Sequence, residues 1–432
     1  MNLTAWGRYP RLTAKVFGFE KPETLREYLK RDEEVIVYAL GRSYGDSALN
    51  HNVVFSRRYN NILQFNPNNG VITCESGVSL AELIDAFVPQ GWFLPITPGT
   101  RFITVGGAIA SDVHGKNHHQ KGCFSRCLLG LDLMLPQGEI VHCSGGENME
   151  LFLATCGGMG LTGVILTATF QMQRIHSAYI REKTLKARNL AEIIGLFEEH
   201  QEVPYSVAWI DCLAKGDNLG RGLLMVGEWA ENSPPHLPSS PPFSLPFDVP
   251  GIFLNKFSLR VFNHLYYRRV SHATTERVIP LLNFFYPLDA VLHWNRLYGP
   301  QGFTQYQLVL PKEAGHQGLA AILQRVARSG LGAFLGTLKL FGPENENYLS
   351  FPLEGYTLAM DFRMQQELFP LLDELDRLVL DHGGRLYLTK DVRMGPQVFR
   401  QGYPKWEKFV ELREKMGLTR KFNSLQSRRL GI

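Results

Sequence analysis

The sequence predicts an α+β protein with two domains, and three observations lead to this fold class. The chain has 432 residues, of which 44% are hydrophobic and 20% charged, so it can bury more than one core. Up to about residue 175, short strand-like runs alternate with glycine-containing turns. From about residue 176 to 384, longer amphipathic helices alternate with strands. We therefore expect a second domain to begin near residue 178.

The elements of the first domain follow from local composition. One segment, 79–91, has helical spacing, with Ser79 as the candidate N-cap and Gly91 as the stop. Runs rich in β-branched and aromatic residues predict the strands, which are EVIVYALG (34–41), NILQF (61–65), GVITCESG (70–77), LLGLDLMLPQGEIVHC (128–143) and GVILTATFQM (163–172).

Residues 151–173 form the longest uncharged run, and its 23 residues would be long enough for a membrane span. Four glycines, at positions 157, 158, 160 and 163, lie in its middle. Because glycines interrupt a spanning helix, the run predicts a buried helix, a tight turn and a buried strand instead.

In the second domain, helices are predicted over 189–202 and 316–330, and strands over 303–311 and 356–364. Seven prolines fall within the 17 residues from 234 to 250, which excludes a helix or a central strand there. A surface loop without chemistry is one interpretation of this segment. A mobile lid or a membrane-facing loop is the other.

Composition excludes several classes of protein. The 45 Lys+Arg and 41 Asp+Glu give a net charge of +4, which is too small for a nucleic-acid-binding surface. The first residues lack an apolar core of signal-peptide length, so we expect no cleaved signal. The six cysteines are too sparse for a disulfide scaffold and suggest reduced thiols in a cytosol-like compartment.

Two glycine-rich loops predict a site for an extended cofactor that contains a pyrophosphate. The loop 39–50 (ALGRSYGDSALN) follows a strand and can present backbone N–H groups to an anion, with Arg42 adding charge. In the loop 98–119 (PGTRFITVGGAIASDVHGKNHH), Gly106 and Gly107 permit close backbone approach. The literal G-x-G-x-x-G at 158–163 has a helix before it and a strand after it, so a Rossmann fold is not expected.

Histidines and one lysine are further candidates. His114, His118 and His119 could hold a metal, be ordinary loop residues, or lie beside a cofactor or substrate. Their spacing lacks the frame of a zinc site, so we expect no metal. Lys390 lies near the end of a predicted strand, where a desolvated lysine can bind a phosphate or act on a sugar hydroxyl.

Eight motifs occur in order between Trp6 and the C-terminal RRL: GRSYGDSALN, PGTRFITVGGAIASDVHGKNHH, GGMGLTGVI, YSVAWID, HWNRLYGPQGFTQYQLVLP, KLFGP, LSFP and GGRLYLTKD. Together they resemble the FAD-dependent oxidases of the vanillyl-alcohol-oxidase fold, whose FAD-binding domain is of the PCMH type. The resemblance implies that residues 1–178 form this FAD-binding domain. It further implies that 179–384 form a substrate-binding cap on a large antiparallel sheet, and that 385–432 complete the FAD-binding domain.

The resemblance implies that FAD is bound non-covalently, because Arg42 stands where relatives with covalently attached FAD carry a histidine. The first loop would wrap the pyrophosphate, and the second would line adenine, ribityl chain and flavin ring. The implied cofactor-binding residues are Gly41, Arg42, Ser43, Tyr44, Gly45, Asp46, Pro98, Gly99, Thr100, Gly106, Gly107, Ala108, Ser111, Val113, His114, Gly163, Val164, Ile165 and Tyr387.

The resemblance also places Lys390 between flavin and sugar, where it would polarise or deprotonate the reacting hydroxyl. His114 and Asp361 are weaker candidates for the proton path. Family members have an asparagine and a cysteine where this chain has Thr357 and Ala359, so the sugar contacts at 357 stay open. The implied substrate-binding residues are Tyr44, Lys116, Trp209, Gln305, Gln307, Lys339, Thr357 and Lys390.

The implied reaction is oxidation of the 2′-hydroxyl of a polyprenyl-phosphoryl-β-D-ribose to a 2′-keto sugar, the first half of an epimerisation to arabinose. A separate NADH-dependent reductase would complete the inversion. An aldonolactone oxidase for gulono- or arabinono-1,4-lactone is the alternative on this fold. A binding protein without turnover is not favoured, because it needs no polar groups converging on a flavin. We expect a cytoplasmic protein without a nucleic-acid partner, with peripheral contact at the inner face of a membrane as a further option.

Overall fold

The computed structural model describes residues 1–231, 233, 234, 236–238, 243–250 and 255–432. Helices and several sheets mix along the chain, which confirms the α+β class. The elements before residue 178 are β1 (Asn2–Thr4), β2 (Arg11–Thr13), β3 (Lys15–Gly18), α1 (Pro22–Leu29), β4 (Ile36–Tyr38), β5 (Asn52–Phe55), β6 (Ile62–Phe65), β7 (Val71–Glu75), α2 (Leu80–Phe87), β8 (Trp92–Phe93), α3 (Val105–Ala110), α4 (His118–Lys121), β9 (Leu128–Met134), β10 (Ile140–Cys143), α5 (Met149–Thr155), β11 (Val164–Gln171) and β12 (Gln173–Arg174).

The remaining elements begin with the strand that opens the second predicted domain. They are β13 (Tyr179–Ala187), α6 (Leu190–Glu199), β14 (Tyr205–Ile210), β15 (Gly222–Trp229), β16 (Phe243–Ser244), α7 (Lys256–Arg268), β17 (Thr274–Pro280), α8 (Leu281–Phe285), β18 (Val291–Leu292), β19 (Phe303–Pro311), α9 (Lys312–Ser329), β20 (Gly336–Phe341), β21 (Gly355–Arg363), α10 (Leu368–Asp381), β22 (Arg385–Leu386), α11 (Pro396–Gly402), α12 (Trp406–Lys415) and α13 (Leu425–Leu430).

Two sheets organise the N-terminal part. Strands β3, β5 and β4 form a three-stranded parallel sheet, and the order β10-β9-β11-β7-β6 forms a five-stranded antiparallel one. Helix α2 begins as predicted, because Ser79 accepts from the Glu82 N–H while the Glu82 carboxylate accepts from the Ser79 N–H, a capping box. The turn after α2 ends at Gly91, whose φ of 80° suits glycine.

The uncharged run 151–173 folds as the sequence indicates. Helix α5 ends at Thr155, a turn follows in which Gly157 and Gly160 have φ of 84° and 78°, and β11 runs through the centre of the five-stranded sheet. The G-x-G-x-x-G at 158–163 therefore joins a helix to a strand, the reverse of the Rossmann arrangement. Over the part of the chain that is described, no helix is long and apolar enough to cross a membrane.

An eight-stranded antiparallel sheet dominates residues 179–386, in the order β17-β13-β15-β14-β20-β21-β19-β22, and we call it the cap sheet. Successive side chains of its strands point to opposite faces. On β19, Leu308 is buried in the main core and the Tyr306 hydroxyl donates to Asp376 of α10, while Gln305 and Gln307 line a cavity on the other face. The pleat of the sheet thus presents a row of polar side chains to one side.

The C-terminal segment returns to the N-terminal part. After β22, helices α11 to α13 follow, and Phe422 forms a β-bridge with Val35 beside β4. The buried Arg413 donates to the carbonyl oxygens of Leu161 and Phe422, at 3.0 and 2.5 Å. These contacts fit the expected return of the tail, although β22 itself belongs to the cap sheet. The domain boundaries at 178 and 384 stay a prediction.

Two other expectations concern the proline-rich segment and the cysteines. Within 234–250, residues 235 and 239–242 lie outside the described residues, so the loop interpretation covers a segment only partly described. The short β16 pairs with β18 in a two-stranded sheet, which is compatible with the exclusion of a central strand.

All six cysteines are buried and free, as reduced thiols should be.

Candidate active site

A cavity of about 730 Å³ separates the two glycine-rich loops from the polar face of the cap sheet. The loops 39–48 and 97–116 form one wall, and strands β14, β19, β20 and β21 form the opposite wall. Lys390, from the segment after β22, closes the space between them. The cavity is therefore the place where both halves of the chain contribute side chains.

The first loop is built to leave backbone donors free. Gly41 has φ of 58°, and a Cβ there would lie 2.2 Å from the Tyr38 hydroxyl, so only glycine fits. Within the described chain, the N–H groups of Gly41, Arg42 and Ser43 donate to no protein acceptor. The Arg42 guanidinium lies 4.1 Å from the centre of the Trp6 ring, at the cavity wall. Unpaired N–H groups beside a cation make a site for an anion such as a pyrophosphate.

The glycines of the second loop leave open space along the cavity wall. Thr104 caps α3 by accepting from the Gly107 N–H at 3.1 Å, and Gly106 N–H donates to the Ser76 carbonyl. A Cβ built on Gly99 would meet nothing within 4 Å, and one on Gly107 would meet only the Thr104 hydroxyl. The open space above these glycines is a cradle for a planar or extended group. Together, the two loops fit the pyrophosphate and ring system of FAD.

Lys390 and Asp361 are the central ionisable groups of the site. The Lys390 Nζ lies 3.6 Å from the centre of the Tyr44 ring. Asp361 accepts from Gln305 Nε2 at 2.6 Å and from the Tyr298 hydroxyl at 3.2 Å. Burial lowers the pKa of Lys390 to about 7, although the Asp361 carboxylate acts to raise it. Burial raises the pKa of Asp361 to about 6. Near neutral pH, Lys390 can therefore both accept and release a proton.

His114 is held neutral beside this pair. Its Nε2 lies 3.1 Å from Gln307 Nε2, which also donates to the Thr357 hydroxyl at 3.2 Å. Burial, reinforced by the nearby Lys339 charge, keeps the pKa of His114 well below its ordinary value. The buried Nδ1 of His114 has no partner among the described residues. An unpaired ring nitrogen at a cavity wall is expected where a bound group supplies the partner.

The other two histidines of the second loop make separate contacts. His118 Nδ1 accepts from the Gly342 N–H at 3.2 Å, and His119 Nε2 lies 3.0 Å from the Val203 carbonyl oxygen. Burial lowers the pKa of His118 to about 3, so it is neutral. Among the described residues, no group of three or more metal-ligating side chains is placed to hold a metal ion.

Two further lysines give the cavity a positive wall. Lys116 donates from Nζ to the Phe284 carbonyl oxygen, and its Nζ lies 4.1 Å from the centre of the Phe284 ring. Burial lowers the pKa of Lys116 to about 7 and that of Lys339 to about 8. A bound phosphate would favour the protonated form of both lysines, so each can contribute attraction for an anion.

Most residues expected in the site line this one cavity, and their roles stay predictions. Those that do are Gly41, Arg42, Ser43, Tyr44, Pro98, Gly99, Thr100, Gly106, Gly107, Ser111, Val113, His114, Lys116, Gly163, Ile165, Trp209, Gln305, Gln307, Lys339, Asp361, Tyr387 and Lys390. Those that the structure places behind the wall are Gly45, Asp46, Ala108, Val164 and Thr357.

Gly45 and Asp46 face the C-terminal segment rather than the cavity. A Cβ on Gly45 would lie 1.6 Å from the Asp391 carbonyl oxygen, so the glycine permits two backbones to touch. The Asp46 carboxylate is paired with Arg429 at 2.7 Å, and Arg429 also pairs with Asp391 at 2.9 Å. Both residues thus support the loop from behind, which local sequence cannot distinguish from a direct cofactor contact.

Three residues expected in the site, Ala108, Val164 and Thr357, are covered by neighbouring residues instead of lining the cavity. Ala108 and Val164 have no exposed surface because α3 and β11 pack into the core there. Thr357 is buried and donates to the Leu308 carbonyl oxygen at 2.8 Å while it accepts from Gln307. Thr357 therefore contacts a cavity glutamine instead of lining the cavity itself, and its role toward a sugar stays a prediction.

The sequence did not single out the apolar end of the cavity. Its aromatic residues come from distant parts of the chain, so no local pattern brings them together. They are Trp6, Phe262, Tyr266, Trp294, Tyr298 and Phe334. Trp294 and Tyr298 lie in one of the motifs used for the family resemblance, which was the one available signal.

Comparisons with known proteins identify the family of the chain. A family model described as an FAD binding domain matches residues 20–144. Over its whole length the chain is 37% identical to decaprenylphosphoryl-beta-D-ribose oxidase of Mycolicibacterium smegmatis, of which it covers 97%. Over 82% of its length it is 32% identical to an uncharacterized protein of Streptomyces coelicolor, of which it covers 100%. L-gulonolactone oxidase of Bos taurus is 28% identical over 41% of each chain. The chain therefore belongs to the decaprenylphosphoryl-β-D-ribose oxidase family of FAD-dependent oxidoreductases.

Proposed function

We propose that this enzyme oxidises the 2′-hydroxyl of a polyprenyl-phosphoryl-β-D-ribose to the 2′-keto sugar. The observation that carries the proposal is that Lys390 and Asp361 both line a cavity that has a cationic side and an aromatic end. A sugar phosphate needs polar and cationic groups, and a prenyl chain needs an apolar wall. The similarity to an enzyme named for this substrate class supports the assignment.

The proposal includes non-covalent attachment of FAD. The loop position that carries the linking histidine in covalent relatives is Arg42, which stacks on Trp6. Denaturing the purified protein in acid should release the flavin into the supernatant. Flavin that stays with the precipitated protein would contradict this part of the proposal.

FAD, when bound, supplies the acceptor for the hydride that leaves the carbinol carbon. The neutral amine of Lys390 accepts the proton of the reacting hydroxyl, because its lowered pKa leaves it partly unprotonated. Asp361 stabilises the ammonium form of Lys390 that results, and Gln305 holds that carboxylate in place. Gln307, Lys116 and Lys339 also line the cavity. In this proposal Gln307 orients the sugar, while the two lysines attract the phosphate.

The keto product requires a reductase to complete an inversion to arabinose. A separate NADH-dependent enzyme would supply the hydride, because a 2′-keto sugar can be reduced from the opposite face. The lipid-linked substrate also brings the enzyme to a membrane surface, at the cytoplasmic face in this proposal.

The decisive test is anaerobic reduction of the bound flavin by substrate. The loss of the absorption band of oxidised flavin, called bleaching here, measures this reduction. A prenyl-phosphoryl riboside should bleach the wild-type flavin. Lys390→Ala should keep the spectrum of oxidised flavin, but substrate should bleach it roughly 10²–10⁴-fold more slowly, which is the usual contribution of a general base to the rate. The surface variant Lys15→Ala serves as the matched control and should bleach like wild type. Bleaching of Lys390→Ala at the wild-type rate would remove the assigned role.

An aldonolactone oxidase is the second candidate, because L-gulonolactone oxidases are also relatives, over 41% of the chain. The same bleaching assay with gulono- and arabinono-1,4-lactone separates the two activities. Bleaching by a lactone and not by the riboside would establish the second candidate in place of the first.

A further inference from the structure

Helix α7 carries a large apolar face that the described residues leave uncovered. Phe257 is 76% exposed and Leu265 is 62% exposed, and Val261 and Phe262 are exposed as well. Positions 257, 261 and 265 are spaced by four residues, so their side chains form one stripe along the helix. We call Phe257, Val261 and Leu265 the α7 stripe. A contiguous apolar surface of this kind, exposed to solvent, marks an interaction site.

The charged side chains of α7 and of the segments that flank it in the sequence are all cationic. Between Asp248 and Glu276 the sequence contains Lys256, Arg260, Arg268 and Arg269 and no acidic residue. Arg260, Arg268 and Arg269 are exposed, and none of them has a carboxylate within 4.0 Å among the described residues. A cationic flank beside an apolar stripe is complementary to an anionic phospholipid surface, whose headgroups attract Lys and Arg.

The helix is fixed to the protein by its opposite side. Asn263 donates from Nδ2 to Asp211 at 2.7 Å, and Asp211 is paired with Arg221 at 2.7 Å. Leu259 is buried on the same side of the helix. Because this side provides the anchoring contacts, the α7 stripe points away from the core as a consequence of the fold.

The exposed surface is continuous with the cavity. Phe262, Tyr266 and Arg269 from α7 line the apolar end of the cavity. A second exposed pair, Phe243 and Phe247, lies on or next to β16, which pairs with cavity-lining β18. An apolar chain that leaves the cavity along α7 would therefore pass onto the α7 stripe.

We propose that α7 lies in the headgroup region of an anionic phospholipid bilayer, with the α7 stripe at the acyl boundary and the cavity opening toward the lipid. The proposal deepens the proposed function, since it rests on a lipid-linked substrate for its purpose. The partner that covers the α7 stripe in this proposal is the bilayer itself. A second copy of the chain or another protein on this face is an outcome that the experiment separates.

The test is co-sedimentation of the FAD-loaded protein with vesicles of phosphatidylglycerol and phosphatidylcholine in equal parts, and with pure phosphatidylcholine. Wild type should bind the anionic vesicles more strongly, and binding should weaken as salt is raised. The variant Phe257→Ser/Val261→Ser/Leu265→Ser should partition into these vesicles about a hundredfold less, because three exposed apolar side chains that would enter the bilayer are removed.

The matched control removes three exposed apolar side chains elsewhere. Leu63→Ser/Leu129→Ser/Ile140→Ser changes the five-stranded sheet and should partition like wild type. A charge variant, Arg260→Gln/Arg268→Gln, should lose the preference for anionic vesicles while its apolar stripe is intact. Circular dichroism and flavin content check that each variant is folded.

Three results would overturn the proposal: wild type that does not bind anionic vesicles, a stripe variant that binds like wild type, or a stripe variant that only loses self-association. Flavin bleaching by a short-chain riboside without vesicles is measured in parallel. Vesicle binding without bleaching would refute the proposed substrate and support membrane binding through α7. Bleaching without vesicle binding would support the proposed substrate and refute membrane binding through α7.

Discussion

Replacing Asp361 by asparagine is expected to move the pH dependence of flavin reduction to lower pH. The substitution preserves shape, because the asparagine amide can still accept from Gln305 and can donate to the Tyr298 hydroxyl that now donates to the carboxylate. What changes is the charge beside Lys390. The carboxylate raises the pKa of Lys390 against the effect of burial, so its loss lowers that pKa below about 7.

The size of the effect follows from the neutral fraction of Lys390. With a pKa of about 7, half of the Lys390 side chains are neutral at that pH, against roughly one in three thousand for an ordinary lysine. Removing a nearby opposite charge lowers a buried pKa by about one pH unit or more. At roughly pH 6 the neutral fraction then rises from about a tenth to about a half, a fivefold gain in the competent form.

The assay is stopped-flow flavin reduction by a prenyl-phosphoryl riboside under anaerobic conditions across the pH range. Wild type should gain rate as pH rises through about 7, and Asp361→Asn should gain it at lower pH. The surface variant Asp85→Asn should keep the wild-type profile. A midpoint that stays in place, or that moves to higher pH, would refute the assignment of Lys390 as the proton acceptor.

Further predictions concern the loops, the helices and the thiols. Gly41→Ala should reduce the flavin retained after purification at least about tenfold, because its Cβ would collide with Tyr38 and a left-handed φ disfavours alanine; absorbance of the purified protein measures it. Gly195→Ala, in α6 with nothing within 4 Å of the new Cβ, should instead raise the free energy of unfolding by about 0.5–1 kcal/mol in urea denaturation, and a decrease would contradict the helix assignment. Arg413→Met should lower that free energy by about 2–4 kcal/mol, because the Leu161 and Phe422 carbonyls lose their buried donor; a change below about 1 kcal/mol would show that they find other partners. Burial raises the pKa of Cys74 and Cys143 to about 12, so a thiol reagent at neutral pH should label no cysteine quickly in the native protein and all six after unfolding, whereas fast native labelling would contradict the buried positions.

Local features of the fold could be predicted from the sequence because short-range chemistry determines them. The Ser79 capping box depends only on residues three apart, and the helix, turn and strand of 149–171 follow from glycines in an uncharged run. The Gly41 loop is of the same kind. In each case the deciding contacts lie within one turn of chain or one neighbouring strand.

The network around Asp361 could not be predicted in this way. Gln305 meets Asp361, and Gln307 lies opposite Ala359, only because β19 and β21 pair in one register. A shift of one residue would turn each of these side chains to the other face of the sheet. Asp46 shows the same limit, since its partner Arg429 comes from the far end of the chain. Long-range pairing, and not local propensity, decides which polar residues share the site.

The short strand β22 has a consequence for how substrate and product travel. It hydrogen-bonds to β19 in the cap sheet, and just beyond it Tyr44 N–H donates to the Thr389 carbonyl oxygen at 3.0 Å. The segment that carries Lys390 is thereby fastened to both halves at once. A hinge motion that separated the two halves would therefore displace Lys390 from the cavity, so we expect ligands to enter and leave without such a motion.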